Sequence, residues 1–286
     1  MLTKKGEWKF DYVFDSFNDF LTEAESRGDD DKYERWGESS RTGSEMFTAT
    51  PDFQSACDLG WYGWAEGMAK VEEVIATASL KSTSRAPSWD YGVAGYLPNV
   101  AAYCAGDPCH MMTKGESLAG GRPIVKVLVN AVYSASTDAQ NIINRGAAIM
   151  GIIDHLESQD MRVEVMVIIP TNGNDDNYFD VTFCAKKAQE PLDKDKLIYS
   201  IGHPAILRRL FFALQETTEG LGDHGWGFGY GKSCDARNIP SDVAYLSQSS
   251  PKQCDTIEQA QAMVLAQFET ILTEAQIDSI KGEWNH

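Results

Sequence analysis

Residues 123–170 constrain this chain more than any other stretch, because they read as a strand, a crossover helix and a second strand. Residues 123–130 (PIVKVLVN) are a nearly continuous apolar run, the pattern of a strand buried on both faces. A hydroxyl-rich turn, AVYSASTD at 131–138, leads into an amphipathic helix over 139–158, and RVEVMVII at 162–169 is the second strand. A unit of this kind makes two parallel neighbours in one sheet and leaves a ligand-accessible crevice at the strand ends. It implies an α/β core and no particular function. Gly146, Ala147 and Ala148 in the middle of the crossover helix permit close approach to the sheet.

The regular pattern continues downstream. After the polar turn TNGNDDN at 171–177, residues 178–185 alternate as a third strand, and so short a turn implies an antiparallel hairpin at a sheet edge. Residues 196–201 suggest a fourth strand, and 204–217 an apolar helix opened by Pro204. A last buried strand is expected at 243–247, then a final helix over 256–280 capped by Asp255. The N-terminal part differs in character. Trp8, Phe10, Tyr12 and Phe14 alternate as a short strand, whereas 15–26, 50–60 and 64–78 read as helices. Residues 81–122 are long, punctuated by Gly and Pro, and without a period. The expected organisation is an N-terminal α-rich and irregular wrapping region over 1–122 and an α/β domain over 123–286.

Over about residues 123–280 the order strand, long helix, strand, antiparallel edge strand, helix, strand, helix resembles a von Willebrand A domain. The resemblance implies a mostly parallel sheet with one antiparallel edge strand, and a Mg²⁺ site on an Asp-x-Ser-x-Ser turn after the first strand. Ser134 and Ser136 keep the hydroxyl spacing, Val132 stands where the leading Asp belongs, and Asp138 is the nearby carboxylate. In that alternative reading the module would bind a divalent ion and an acidic protein ligand; helix capping is the plainer role for the same hydroxyls. The whole chain also resembles proteins encoded by phages and mobile elements, through phrases such as SSRTGSEMFTATPDFQSA, AGYLPNVAAYCAGDP and NRGAAIMGIIDHLE. More distantly it is similar to the Drc type of single-stranded-DNA-binding RNA polymerase cofactor of lytic podophages. That likeness implies single-stranded DNA and a polymerase or replication protein as partners, and leaves room for a homo-oligomer.

The segment GDHGWGFGYGK at 222–232 sets four rings between glycines and ends in a lysine. Glycine lets the backbone approach a ligand, and rings stack on unpaired bases at roughly 1–3 kcal/mol per base. Trp226, Phe228 and Tyr230 are the expected stacking residues, and Lys232, Arg237, Arg208 and Arg209 the expected phosphate contacts. Arg208 and Arg209 are consecutive, about 100° apart on a helix, and are not both expected to face the core. Rings that pack back on the sheet, or against a protein, are the competing reading.

Composition bounds the rest. The net charge of −17 argues against indiscriminate polyanion binding, although screening beyond about 10 Å lets a local basic cluster act. The six cysteines match neither a paired Cys-x-x-Cys framework nor a small disulfide scaffold, and Cys104, Cys109 and His110 would lack a fourth zinc ligand. No nucleophile–base or paired-carboxylate motif stands out, so the expectation is a non-enzymatic binding protein without a cofactor. No apolar run approaches the roughly 20 residues that span a membrane, and the first residues carry no signal-type stretch. A cytoplasmic location is expected, the host cytoplasm for a phage product.

Overall fold

The apolar run after Pro123 lies inside a seven-stranded sheet. The computed structural model describes residues 2–6, 9–29, 35–77, 89–95, 97–114, 123–159, 161–174, 177–219, 221, 230–248, 253–269 and 272. Its strands are β1 (Leu2–Gly6), β2 (Lys9–Phe14), β3 (Trp89–Gly92), β4 (Leu97–Pro98), β5 (Met111–Lys114), β6 (Ile124–Asn130), β7 (Arg162–Asn172), β8 (Tyr178–Lys186), β9 (Lys232–Ser233) and β10 (Ala244–Leu246). The main sheet runs β1-β2-β8-β7-β6-β10, with β9 added to β7. β6 is parallel to both β7 and β10, and β2 is parallel to β8. β7 meets β8 and β9 antiparallel, as β1 meets β2. The α/β class therefore holds, with a sheet of mixed sense. Strands β3, β5 and β4 form a separate antiparallel sheet.

Residues 178–185 were expected at a sheet edge, and here the structure differs. β8 is an inner strand, because the alternating Phe10, Tyr12 and Phe14 of β2 dock on it opposite Phe179, Val181 and Phe183. The physical reason is the aromatic layer: Phe20 stacks on Phe183 at 4.6 Å, and Phe17 lies 5.4 Å from the same ring. Each such side chain withdraws apolar area worth about 1.5–3 kcal/mol from water. One buried cluster accordingly runs from Phe10 through Val127 and Phe183 to Leu272, across the change of character at residue 122.

The helices are α1 (Phe17–Asp29), α2 (Ser39–Thr42), α3 (Glu45–Thr48), α4 (Phe53–Tyr62), α5 (Ala65–Thr77), α6 (Val100–Cys104), α7 (Ala139–Ser158), α8 (Lys194–Gly202), α9 (Phe212–Glu216) and α10 (Ile257–Phe268). Residues 196–201 are thus helical and not a strand. A short apolar run fits either state, and Asp193 decides it by accepting the Lys196 N–H at 3.2 Å as the cap of α8. Thr256, not Asp255, caps α10, in a reciprocal capping box with Gln259. Asp255 accepts instead from Asn141 Nδ2 at 3.0 Å. The part of the expected final helix beyond residue 272 lies outside the described residues.

The apolar helix after Pro204 contains a π-helical stretch, Ile206–Phe211, that runs on into α9. It is buried on all sides. α7 crosses α8 at two glycines: a Cβ on Gly146 would lie 2.2 Å from Gly202 Cα. The close approach read from Gly146 is therefore to α8 and not to the sheet. Among the described residues no single helix is long and apolar enough to cross a membrane.

Candidate functional site

In an open α/β sheet the crevice for a ligand lies at the carboxyl ends of the strands where the connections diverge. Here that point is between β6 and β10, since the chain leaves β6 for β7 on one side and returns to β10 on the other. The crevice is filled by the protein itself. Arg145 of α7, with no exposed surface, donates from Nη1 to Asn130 O (3.1 Å) and Tyr133 Oη (2.9 Å), and from Nη2 to Leu246 O (3.0 Å) and Ser247 O (2.8 Å). One guanidinium ties the ends of two parallel strands together.

The open space is one strand over, at the carboxyl ends of β6 and β7. A cavity of about 180 Å³ is lined there by Phe47, Tyr133, Thr171, Arg208, Phe212 and Tyr230, with Ser39, Ala135, Gly231 and Ser233 at its border. Arg208 comes from the π-helical stretch and is 2 % exposed. It donates to Phe47 O (2.7 Å), Ser134 O (3.3 Å) and Thr137 O (2.7 Å), and its guanidinium lies 4.0 Å from the centre of the Phe47 ring. No carboxylate pairs with it among the described residues. Burial lowers its pKa to about 10, with Tyr133 and Asp138 acting the other way, so it remains a cation at neutral pH.

Tyr230 forms the opposite wall. Its ring stacks on Phe212 at 4.2 Å, and its hydroxyl donates to Glu216 at 2.6 Å while accepting from Ser39 N at 3.0 Å. Glu216 is fully buried and also accepts from the backbone and the hydroxyl of Ser40. Burial, then the hydrogen bond to Glu216, pushes the Tyr230 pKa up to about 12. Because the folded value is raised, this contribution to stability is complete below pH 10 and fades as pH climbs toward 12. Tyr230→Phe leaves the buried Glu216 one donor short and is expected to cost about 1–3 kcal/mol in urea unfolding at pH 7. An unchanged midpoint would remove Tyr230 from this network.

The larger cavity, about 260 Å³, lies at the other end of the sheet between α1, the end of β8 and α8. Its charges are matched among themselves: Lys186 pairs with Glu157 at 2.6 Å, Lys187 approaches Glu190 at 4.0 Å, and Asp193 caps α8. It offers no buried charge that lacks a partner, which is why the smaller cavity is the candidate.

The residues expected to touch nucleic acid are not gathered on one surface. Trp226 and Phe228 lie outside the described residues. Arg209 is fully buried and donates to Thr50 Oγ1 (2.7 Å), Ser40 O (2.9 Å), Gly43 O (3.0 Å) and Thr50 O (2.9 Å). Both consecutive arginines thus face inward, contrary to expectation, because the segment over 35–52 wraps the helix and presents carbonyls on that side too. Neither can meet a phosphate on a strand lying across the surface. Arg237 holds Asp180 through both carboxylate oxygens at 2.6 Å, also donates to Asn172, and packs 4.3 Å from the Tyr178 ring. Lys232 is exposed on β9. His203, close to the arginines in sequence, is kept neutral: burial pushes its pKa down to about 3, and Nδ1 accepts from Ala205 N at 3.1 Å.

The hydroxyl turn lies beside Arg208. Ser134 Oγ and Ser136 Oγ are 3.0 Å apart, and Asp138 is exposed beside them. Val132, at the position of the missing carboxylate, is buried. Beneath the turn Arg208 holds the Ser134 and Thr137 carbonyls. Among the described residues no group of three or more His, Cys, Asp or Glu side chains is placed to hold a metal. Cys109 and His110 both turn to Asp107, through Cys109 N at 2.8 Å and His110 Nδ1 at 2.7 Å, and not to each other.

Compared with known families, the chain matches the model of a domain of unknown function (DUF7192) over residues 4–277. The chain belongs to the DUF7192 family. The matched span begins in β1 and ends beyond α10, so the DUF7192 domain takes in the main sheet except the first two residues of β1, and the cavity at its carboxyl end. No curated protein matches it. No solved structure matches it either.

Proposed function

We propose that this protein is a non-enzymatic accessory factor that binds single-stranded nucleic acid at the carboxyl ends of β6 and β7. The observation that supports the reading is Tyr230. It is the last ring of the glycine–aromatic segment and at the same time a wall of the cavity, facing Phe47, Tyr133 and Phe212. That arrangement brings the end of a segment suited to stacking onto an aromatic pocket next to a buried cation. Lys232, two residues on, is the exposed cation beside it. Trp226 and Phe228 supply further rings in this reading, and a polymerase or replication protein of a phage-type system is the partner that the loose family likeness favours. The von Willebrand A-like reading of residues 123–280 is kept for its arrangement alone, β6, α7, β7, β8 and β10 in that order.

A chain with a net charge of −17 cannot draw its affinity from counterion release over a broad basic surface. Stacking must dominate, so single strands are expected to bind more tightly than duplex, with a shallow salt slope. Fluorescence anisotropy with a labelled oligonucleotide, single-stranded and duplex, over a salt series reads this directly. Trp226→Ala with Phe228→Ala removes two stacking rings, at least about 2 kcal/mol together, or roughly 30-fold in affinity. Unchanged affinity in that variant, or no binding by the parent at low salt, rules the reading out.

A further inference from the structure

Arg208 is buried, cationic and in no contact ion pair among the described residues, yet it borders a cavity. Three of its five N–H groups are taken by Phe47 O, Ser134 O and Thr137 O. Carbonyl dipoles and the Phe47 ring solvate the guanidinium, and the exposed Asp138 acts on it without making a contact pair. A charge removed from water in this way is costly unless an anion completes it. The hydroxyl of Ser233 lines the same space and makes no hydrogen bond among the described residues, while Ser39 is engaged with Tyr230. Arg208 from the π-helical stretch and Ser233 from β9 line the cavity from separate elements, and donors on separate elements suit a tetrahedral oxyanion better than a flat carboxylate held by one edge.

We infer that the Arg208 cavity is a receptor for a phosphate monoester. Resting on the single-strand reading above, the monoester is the terminal phosphate of a strand. An internal phosphodiester carries chain on both sides and cannot bring its oxygens to a guanidinium that is 2 % exposed, whereas a chain end can enter a cavity of about 180 Å³. The protein would recognise ends of strands and not their length.

The test compares internally labelled oligonucleotides of one sequence carrying a 5′-phosphate, a 3′-phosphate or hydroxyl ends, together with inorganic phosphate in thermal melts. The proteins are the parent, Arg208→Gln, and Ala135→Trp, which places a large ring on an exposed lining residue of the cavity while keeping the arginine. The expected result is at least 10-fold tighter binding of one phosphorylated end by the parent, lost in both variants. If no strand binds but inorganic phosphate raises the melting midpoint of the parent and not of Ala135→Trp, the receptor stands with free phosphate as its ligand, and the single-strand reading falls. If strands bind equally whatever their ends and phosphate leaves the midpoint unchanged, the receptor is overturned while the single-strand reading survives. No response to either ligand overturns both.

Discussion

Arg145→Met is expected to lower the unfolding free energy by about 3–5 kcal/mol, one of the two largest effects in the molecule. Two terms oppose each other. Removing a buried guanidinium relieves its desolvation cost, which favours the variant. Against this, Met leaves Asn130 O, Leu246 O, Ser247 O and the Tyr133 hydroxyl without the donor that now reaches all four. At about 1–3 kcal/mol for each group left unsatisfied, the acceptors win. The loss should be local in its first step. β10 is three residues long and pairs with β6 alone in the main sheet order, so Arg145 is its main fastening at the carboxyl end. Hydrogen exchange at Ala244–Leu246 should accelerate before the rest of the sheet does. Urea unfolding of Arg145→Met within about 1 kcal/mol of the parent would show that the plugged crevice is incidental to stability.

The strand–helix–strand unit was legible because its signals are local: an apolar run, a long amphipathic period and a second apolar run. Phe10, Tyr12 and Phe14 were equally legible as a strand, but their partner was not. Alternation says which face of a strand is buried and nothing about which distant strand it joins, so β8 looked like an edge until β2 was seen beside it. Residues 196–201 failed for a different reason. Five apolar or small residues are too few for either period to show, and the deciding signal was Asp193, a cap just outside the run.

The site was harder to read. Charge in a sequence is visible, and burial is not. Arg208 and Arg209 read as phosphate contacts, yet carbonyls from 35–52 and from the hydroxyl turn hold them inside. A signal for this was present: two arginines in an otherwise apolar helix need polar partners if that helix is enclosed. Glu216, near the end of the same helix, is the matching case, and it is what turns the Tyr230 hydroxyl inward. Tyr230 was singled out for its ring, but its orientation comes from a buried acid that the glycine–aromatic pattern does not contain. Arg145 carries no such signal, because nothing local says that the strand ends lie within its reach.

Gly146 gives the second large effect. On helix propensity alone Gly146→Ala should stabilise α7 by about 1 kcal/mol. The structure reverses the sign. The added Cβ would sit 2.2 Å from Gly202 Cα, and a backbone atom cannot rotate away as a side chain can. Separating two packed helices typically costs about 1–3 kcal/mol for a methyl, and more for a larger side chain. Gly146→Ala is therefore expected to lose about 1–2 kcal/mol net, since a backbone contact puts the steric cost at the upper end of its range, and Gly146→Leu more than about 3 kcal/mol, by urea unfolding with an unchanged slope. Gly202→Ala meets the same contact from the other side, where its Cβ would lie 2.9 Å from Gly146 Cα. Once the helices have parted, the second methyl costs less than the first, so the double variant should be less harmful than the sum. The consequence also reaches the sheet. Gly146 is adjacent to Arg145, and the depth at which α7 sits on α8 sets how far that guanidinium reaches between β6 and β10. Gly146→Leu should therefore speed hydrogen exchange in β10 as Arg145→Met does, although it removes no hydrogen-bonding group. A Gly146→Leu variant that is destabilised while β10 keeps its protection would separate the helix crossing from the crevice and refute that link.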